Sequence, residues 1–266
     1  MCKNGFDKLV DSLKDIKDIL ENRIEIIEDI ARENCSPEKL TIYLFVNNSL
    51  RLFADTLGFF FYEMTKEGFD KKAFFFIPNT RVVLDIYSRF LDLSENHSSD
   101  NKKALLCIVY QLTTYHKALE GKNYNTTLSI HKSFLETQKD IEFPEKSENF
   151  SLTWVRNNNL PRFKTLDQIL TEENIRKNSD KTKDIFPLKK IYKIYSNFSE
   201  IIHGNPYHYH SGISIKKERF WIIVMLTITS CLLIEIIDRE YANKEQARDF
   251  RDLLSLIKEN RDELTK

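Results

Sequence analysis

The sequence predicts an all-α protein: a single multi-helix bundle of about seven or eight helices. Two observations carry that expectation. Apolar residues recur at three- and four-residue spacing over long stretches, the period of a helix with one buried face. The 266 residues also contain only 6 Gly and 6 Pro, too few turn-formers for a many-turned β-fold. With 41% hydrophobic and 30% charged residues, the chain has the composition of an ordinary globular protein with a sizeable core.

The first helix is expected over 6–33, where Phe6, Leu9, Val10, Leu13, Ile16, Leu20, Ile24, Ile27 and Ile30 share one face. A second opens at Ser36-Pro37-Glu38, which supplies an N-cap, a first-turn proline and a first-turn acid, and runs to 68. Further helices are expected at 78–93, at 99–120 with Gly121 as the stop, and at 126–141. Over 142–184, prolines, asparagines and charges interrupt every apolar run. At most short helices, such as 166–170, are expected there, and the segment reads as a long functional loop or lid, or as a plain connector. Helicity resumes at 187–203, stops at Gly204-Asn205-Pro206, returns at 216–241 and ends with 246–264. Apolar helical faces lie on both sides of the irregular segment, with no Pro/Gly/Ser linker between them. One domain over 1–266 is therefore expected, with a split near 150 as the alternative.

Forty basic residues balance forty acidic ones, so no global field draws the chain toward nucleic acid or anionic lipid, and any such contact must be local. Cys2, Cys35, Cys107 and Cys231 lack metal-type spacing and read as reduced thiols of a cytoplasmic protein. Residues 1–20 are charged every few positions, so no secretory leader is expected. The fifteen uncharged residues 220–234 are shorter than the about 20 a bilayer span requires, and read as a buried central helix.

Helix 188–203 is the most informative. Ile191, Ile194, Tyr195, Phe198, Ile201 and Ile202 form its apolar sector, and Tyr192, Ser196, Ser199 and His203 run along one border of it. Lys189, Lys193 and Glu200 lie further round toward solvent. Ser199 and His203 stand one turn apart on the same face, within hydrogen-bond reach. No Gly-x-Ser-x-Gly elbow surrounds Ser199, which argues against a serine hydrolase. The plain alternative is a helix-border histidine stabilised by the C-terminal dipole.

On helix 78–93, Arg81, Asp85, Ser88, Arg89 and Asp92 gather within about 120°. Arg81 with Asp85, and Asp85 with Arg89, are spaced for surface ion pairs of only about 0.2–0.5 kcal/mol. A solvated face and an anion site built from an oriented guanidinium are the two readings. Asn48, Arg51 and Asp55 on the second helix read as buried structural groups unless Arg51 faces Arg81. His203, His208 and His210 fall close together, but no second ligand pair completes a zinc set, so neither metal nor cofactor is expected. Alternating tyrosines and histidines at 207–210 suit stacking on exposed bases, with Lys181, Lys183, Lys189, Lys190 and Lys193 for phosphates.

Two of these elements, Arg81-x-x-x-Asp85 and Tyr192-x-x-Tyr195-Ser196-x-x-Ser199-x-x-x-His203-Gly204-Asn205, resemble a group of bacterial helical proteins. That group carries an Arg-x-x-x-Glu helix and a Tyr-x-x-x-Ser-x-x-x-His helix, and is similar to the HEPN superfamily of helical ribonucleases, toxins and phage-defence proteins. The resemblance spans about residues 40–240 in order of elements. It implies a pocket in which Arg81, Asp85, Ser199 and His203 converge as catalytic residues, with Tyr192, Tyr195, Asn205 and Lys193 binding substrate. RNA as partner and a homodimer are expected with it, while the shortness of 220–234 leads to the expectation of no membrane. Asp85 stands where the group has Glu. The Arg-x4–6-His spacing of HEPN ribonucleases is absent, so the guanidinium would come from Arg81.

Overall fold

The computed structural model describes residues 5–33, 35–64, 77–95, 97, 99–116, 122–164, 168 and 215–241. Among these residues there are eight α-helices and no strand: α1 Gly5–Arg32, α2 Pro37–Met64, α3 Ile77–Glu95, α4 Asp100–His116, α5 Lys122–Ile130, α6 Lys132–Leu135, α7 Leu152–Asn157 and α8 Ile215–Glu240. The expected all-α bundle is what the chain forms.

α1 buries Val10, Leu13, Ile16, Leu20, Ile24 and Ile27, the stripe its spacing predicts. Its short connection to α2 lets the two helices pack along their length, with the Lys17 side chain lying over Gly58. Pro37 and Glu38 occupy the first turn of α2, and the Lys39 amide is 3.4 Å from the Ser36 hydroxyl. α2 is the hub, packing against α1, α3, α4 and α6. α8 fills the opposite side of the core against α1 and α3.

From Ile222 to Asp238, α8 is buried at every position except Leu232 and Glu235, so it is apolar nearly all round because it has neighbours nearly all round. Its buried hydroxyls on Thr229 and Ser230 donate to the carbonyls of Met225 and Leu226 one turn back. Among the described residues no helix is long and apolar enough to cross a membrane. Cys107 and Cys231 are buried free thiols, with burial pushing both well above the ordinary thiol range.

The helix expected at 126–141 is instead broken. α5 ends at Ile130, His131 is a turn residue, α6 lasts only Lys132–Leu135, and turns follow to Asp140. The cause is tertiary. His131 is withdrawn into the core, where its ring bonds to Thr41 of α2 and Gln111 of α4.

The start of the irregular segment is well packed. Phe143, Phe150 and Trp154 form an aromatic cluster with ring centroids 5.2–6.5 Å apart, and Tyr124 of α5 joins it through Phe150 at 5.6 Å. The Tyr124 hydroxyl donates to the Pro144 carbonyl at 2.7 Å. The Ser151 hydroxyl accepts from the Trp154 amide at 3.1 Å, capping α7. Residues from both sides of this segment enter the same hydrophobic core. The helices expected at 187–203 and 246–264, the stop at 204–206 and, apart from Gln168, the short helix at 166–170 lie outside the described residues.

Candidate functional site

α3 is held between α2 and α8, and its polar stripe runs from half-exposed to fully buried. Arg81 and Asp85 stand at the open end, with Nε 4.0 Å from Oδ2 and each side chain about one-third exposed (34% and 36%). Burial raises the Asp85 carboxyl above its ordinary range, while the charges of Arg89 and Arg81 pull it back. One turn on, Ser88 is buried and its hydroxyl donates to the Asp85 carbonyl at 2.9 Å. Beyond it the fully buried Asp92 accepts from the Lys164 amide at 2.9 Å. The stripe is therefore no uniformly solvated face: its lower half is sealed, and only its upper half is open to a ligand.

Arg89 does not close an ion pair with Asp85. Its guanidinium carbon sits 4.3 Å over the Tyr110 ring, and Tyr110 in turn packs edge-on against Phe45 at 5.8 Å and Phe163 at 5.4 Å. The chain at 163–164 thus fastens the stripe twice, through Phe163 beneath the Arg89 platform and through the Lys164 amide on Asp92. His97, just past α3, has Nε2 3.8 Å from Asp92, too long for a hydrogen bond. Burial lowers its pKa against the pull of the Asp92 charge, and Lys164 and Lys103 lower it further.

The expectation for Asn48, Arg51 and Asp55 fails. All three are exposed, and Arg51 turns away from α3 to pair with Glu28 of α1. Hydrogen bonds from Arg51 and Asn47 hold the Glu28 carboxyl below its usual range. The sequence misleads because α2 also carries exposed apolar residues, Leu52, Phe59 and Tyr62, so its polar cluster lies on an outer face that is itself partly apolar. Of the residues assigned to the catalytic pocket, α3 brings Arg81 and Asp85 together. Ser199 and His203 lie outside the described residues, as do Tyr192, Tyr195, Lys193 and Asn205, the lysines at 181–190, and His208 and His210.

A second polar centre surrounds His131 and has no counterpart in the sequence expectations. The ring is almost fully buried (3% exposed), with Nδ1 3.2 Å from the Thr41 hydroxyl of α2 and Nε2 3.0 Å from Oε1 of Gln111 of α4. Because Gln111 Oε1 can only accept, Nε2 carries the proton and Nδ1 accepts from Thr41. Burial keeps the imidazole neutral, lowering its pKa to about 4. Beside it opens a cavity of about 290 Å³, lined by Leu44 and Asn48 of α2, Gln111 of α4, and Thr126, Thr127 and Ile130 of α5. The clue in the sequence is slight: Thr126, Thr127 and His131 follow helical spacing, but the ring's partners lie 90 and 20 residues away. Among the described residues, no group of three or more His, Cys, Asp and Glu side chains could hold a metal ion.

Fold and site together define an all-α bundle with an arginine-rich polar stripe on its third helix and a neutral polar cavity beside His131. The chain matches no known family, no curated protein and no solved structure.

Proposed function

We propose that this chain is a HEPN-like protein acting on RNA, with the open end of the α3 stripe as its phosphate site. The observation that carries the reading is the disposition of Arg81, Asp85 and Arg89. Two guanidinium groups flank one half-buried carboxylate, and one guanidinium is fixed on an aromatic platform. Arginines beside a half-buried carboxylate in partly desolvated surroundings suit contact with a phosphodiester. In the enzymatic form of the reading, His203 takes the proton of a ribose 2′-hydroxyl. The 2′-oxygen bonds to phosphorus, the bond to the 5′-oxygen breaks, and that oxygen receives a proton, while Arg81 offsets charge on the phosphate.

The test is incubation of purified wild-type, His203→Ala and Arg81→Ala protein with tRNA and total RNA, with and without EDTA. The expected result is cleavage that survives EDTA, is abolished by His203→Ala and falls roughly 10²-fold in Arg81→Ala. RNA retained without cleavage by any of the three would instead favour a non-enzymatic binding module. The cavity beside His131, large enough for a small ligand, supports that second reading.

A further inference from the structure

We infer that the cavity beside His131 is a nucleobase pocket that takes adenine, read by the amides of Asn48 and Gln111. Its volume of about 290 Å³ lies at the small end of ligand pockets, about 300–1,000 Å³, which suits a one- or two-ring ligand and not an oligosaccharide or a lipid. No charged side chain lines it among the described residues, so phosphate, carboxylate and ammonium groups find no counter-charge there. Leu44 and Ile130 provide apolar surface, and amide, hydroxyl and imidazole groups provide the rest. A neutral planar group with donors and acceptors on its edge satisfies both kinds of wall.

The hydrogen-bond inventory narrows the ligand further. Gln111 spends Oε1 on His131, which leaves its amide N–H groups for the cavity. Asn48 has neither amide atom engaged among the described residues and lines the same cavity. An asparagine amide pairs with the N6 and N7 edge of adenine, giving and accepting at once, so Asn48 is the bidentate reader and Gln111 adds only donors. His131 acts here as a positioning residue, holding Gln111 in one orientation. Gln111 also follows Tyr110, the platform of Arg89, directly on α4, so one helix carries both an amide of the base pocket and the support of one arginine of the phosphate site. The choice of a nucleobase over other flat polar ligands rests on the RNA reading above.

The experiment is calorimetric titration of the full chain with adenosine, AMP, cytidine and uridine, with the imidazole signals of His131 followed by NMR. Adenosine is expected to bind and to shift those signals, AMP to bind within about twofold of adenosine because no cation lines the cavity, and the pyrimidine nucleosides to bind about tenfold more weakly or worse. Asn48→Asp, at an exposed position that leaves the core intact, removes the amide donor and is expected to weaken adenosine about tenfold while favouring cytidine, whose amino group donates. Adenosine binding that is undetectable, indifferent to Asn48→Asp or much weaker than AMP binding would overturn the pocket. RNA cleavage without adenosine binding sinks the pocket and leaves the RNA reading standing. Adenosine binding in a chain that neither binds nor cleaves RNA does the reverse.

Discussion

The molecule contains two arginine–aspartate pairs that look alike as chemistry and differ in everything else. Arg81 and Asp85 are four residues apart on α3, about one-third exposed and separated by 4.0 Å. Arg23 of α1 and Asp238 of α8 are 215 residues apart, with side chains 11% and 4% exposed and bonded twice, Nε to Oδ1 at 2.5 Å and Nη2 to Oδ2 at 3.1 Å. The distant pair is a closed, bidentate clamp between two helices, with both charges spent on each other. The local pair is looser and open to solvent, and that openness separates a candidate site from a brace.

The comparison breaks most visibly at the brace. Arg23→Met leaves Asp238 charged and buried, and should lower stability by about 3–5 kcal/mol, read as a fall in the urea midpoint at unchanged slope. The double variant Arg23→Met with Asp238→Leu should recover most of that, since two apolar side chains of similar volume need no counter-charge. If the single variant costs no more than an ordinary surface change, the clamp is not holding α1 against α8.

Which of these features could be read from the sequence follows from how far apart their parts lie. The buried stripe of α1 and the start of α2 were legible because a helix writes its face and its cap within a few residues. Arg81 and Asp85 were legible for the same reason. The Arg23–Asp238 clamp was not, since neither residue carries any mark of the other, and the break at His131 was not, since the groups that pull the ring inward are Thr41 and Gln111. The side of α2 bearing Asn48, Arg51 and Asp55 was misread because Leu52, Phe59 and Tyr62 spend their apolar surface on the outside.

His131 sharpens the contrast from another direction, as a buried group that avoids the need for a brace by staying neutral. Its folded pKa of about 4 lies below the 6.5 of an exposed histidine, so the unfolded chain takes up the proton first. Stability from this group is therefore complete above about pH 6.5 and is lost as the pH falls toward 4. The gap between those values corresponds to roughly 3 kcal/mol. Urea unfolding at pH 7, 5.5 and 4.5 should show the decline. In His131→Gln, which cannot titrate, it should be shallower by a corresponding amount.

The smallest expected effect on stability belongs to the open pair, and it is the most informative for function. A half-exposed ion pair at 4.0 Å within one helix contributes little, because water screens it and two long side chains must be ordered to make it. The Arg81–Asp85 contact should thus contribute no more than about 0.5 kcal/mol, read as the coupling between Arg81→Ala and Asp85→Ala in a double-mutant cycle. If Arg81 serves a phosphate, Arg81→Ala should weaken RNA binding well beyond that, and should flatten the dependence of binding on salt, because one fewer counterion is released. Lysine at position 81 separates charge from geometry: it restores the salt dependence but not a bidentate grip, so binding should recover only in part. Large destabilisation with unaltered RNA binding would make Arg81 a second brace, and the contrast between the two pairs would dissolve.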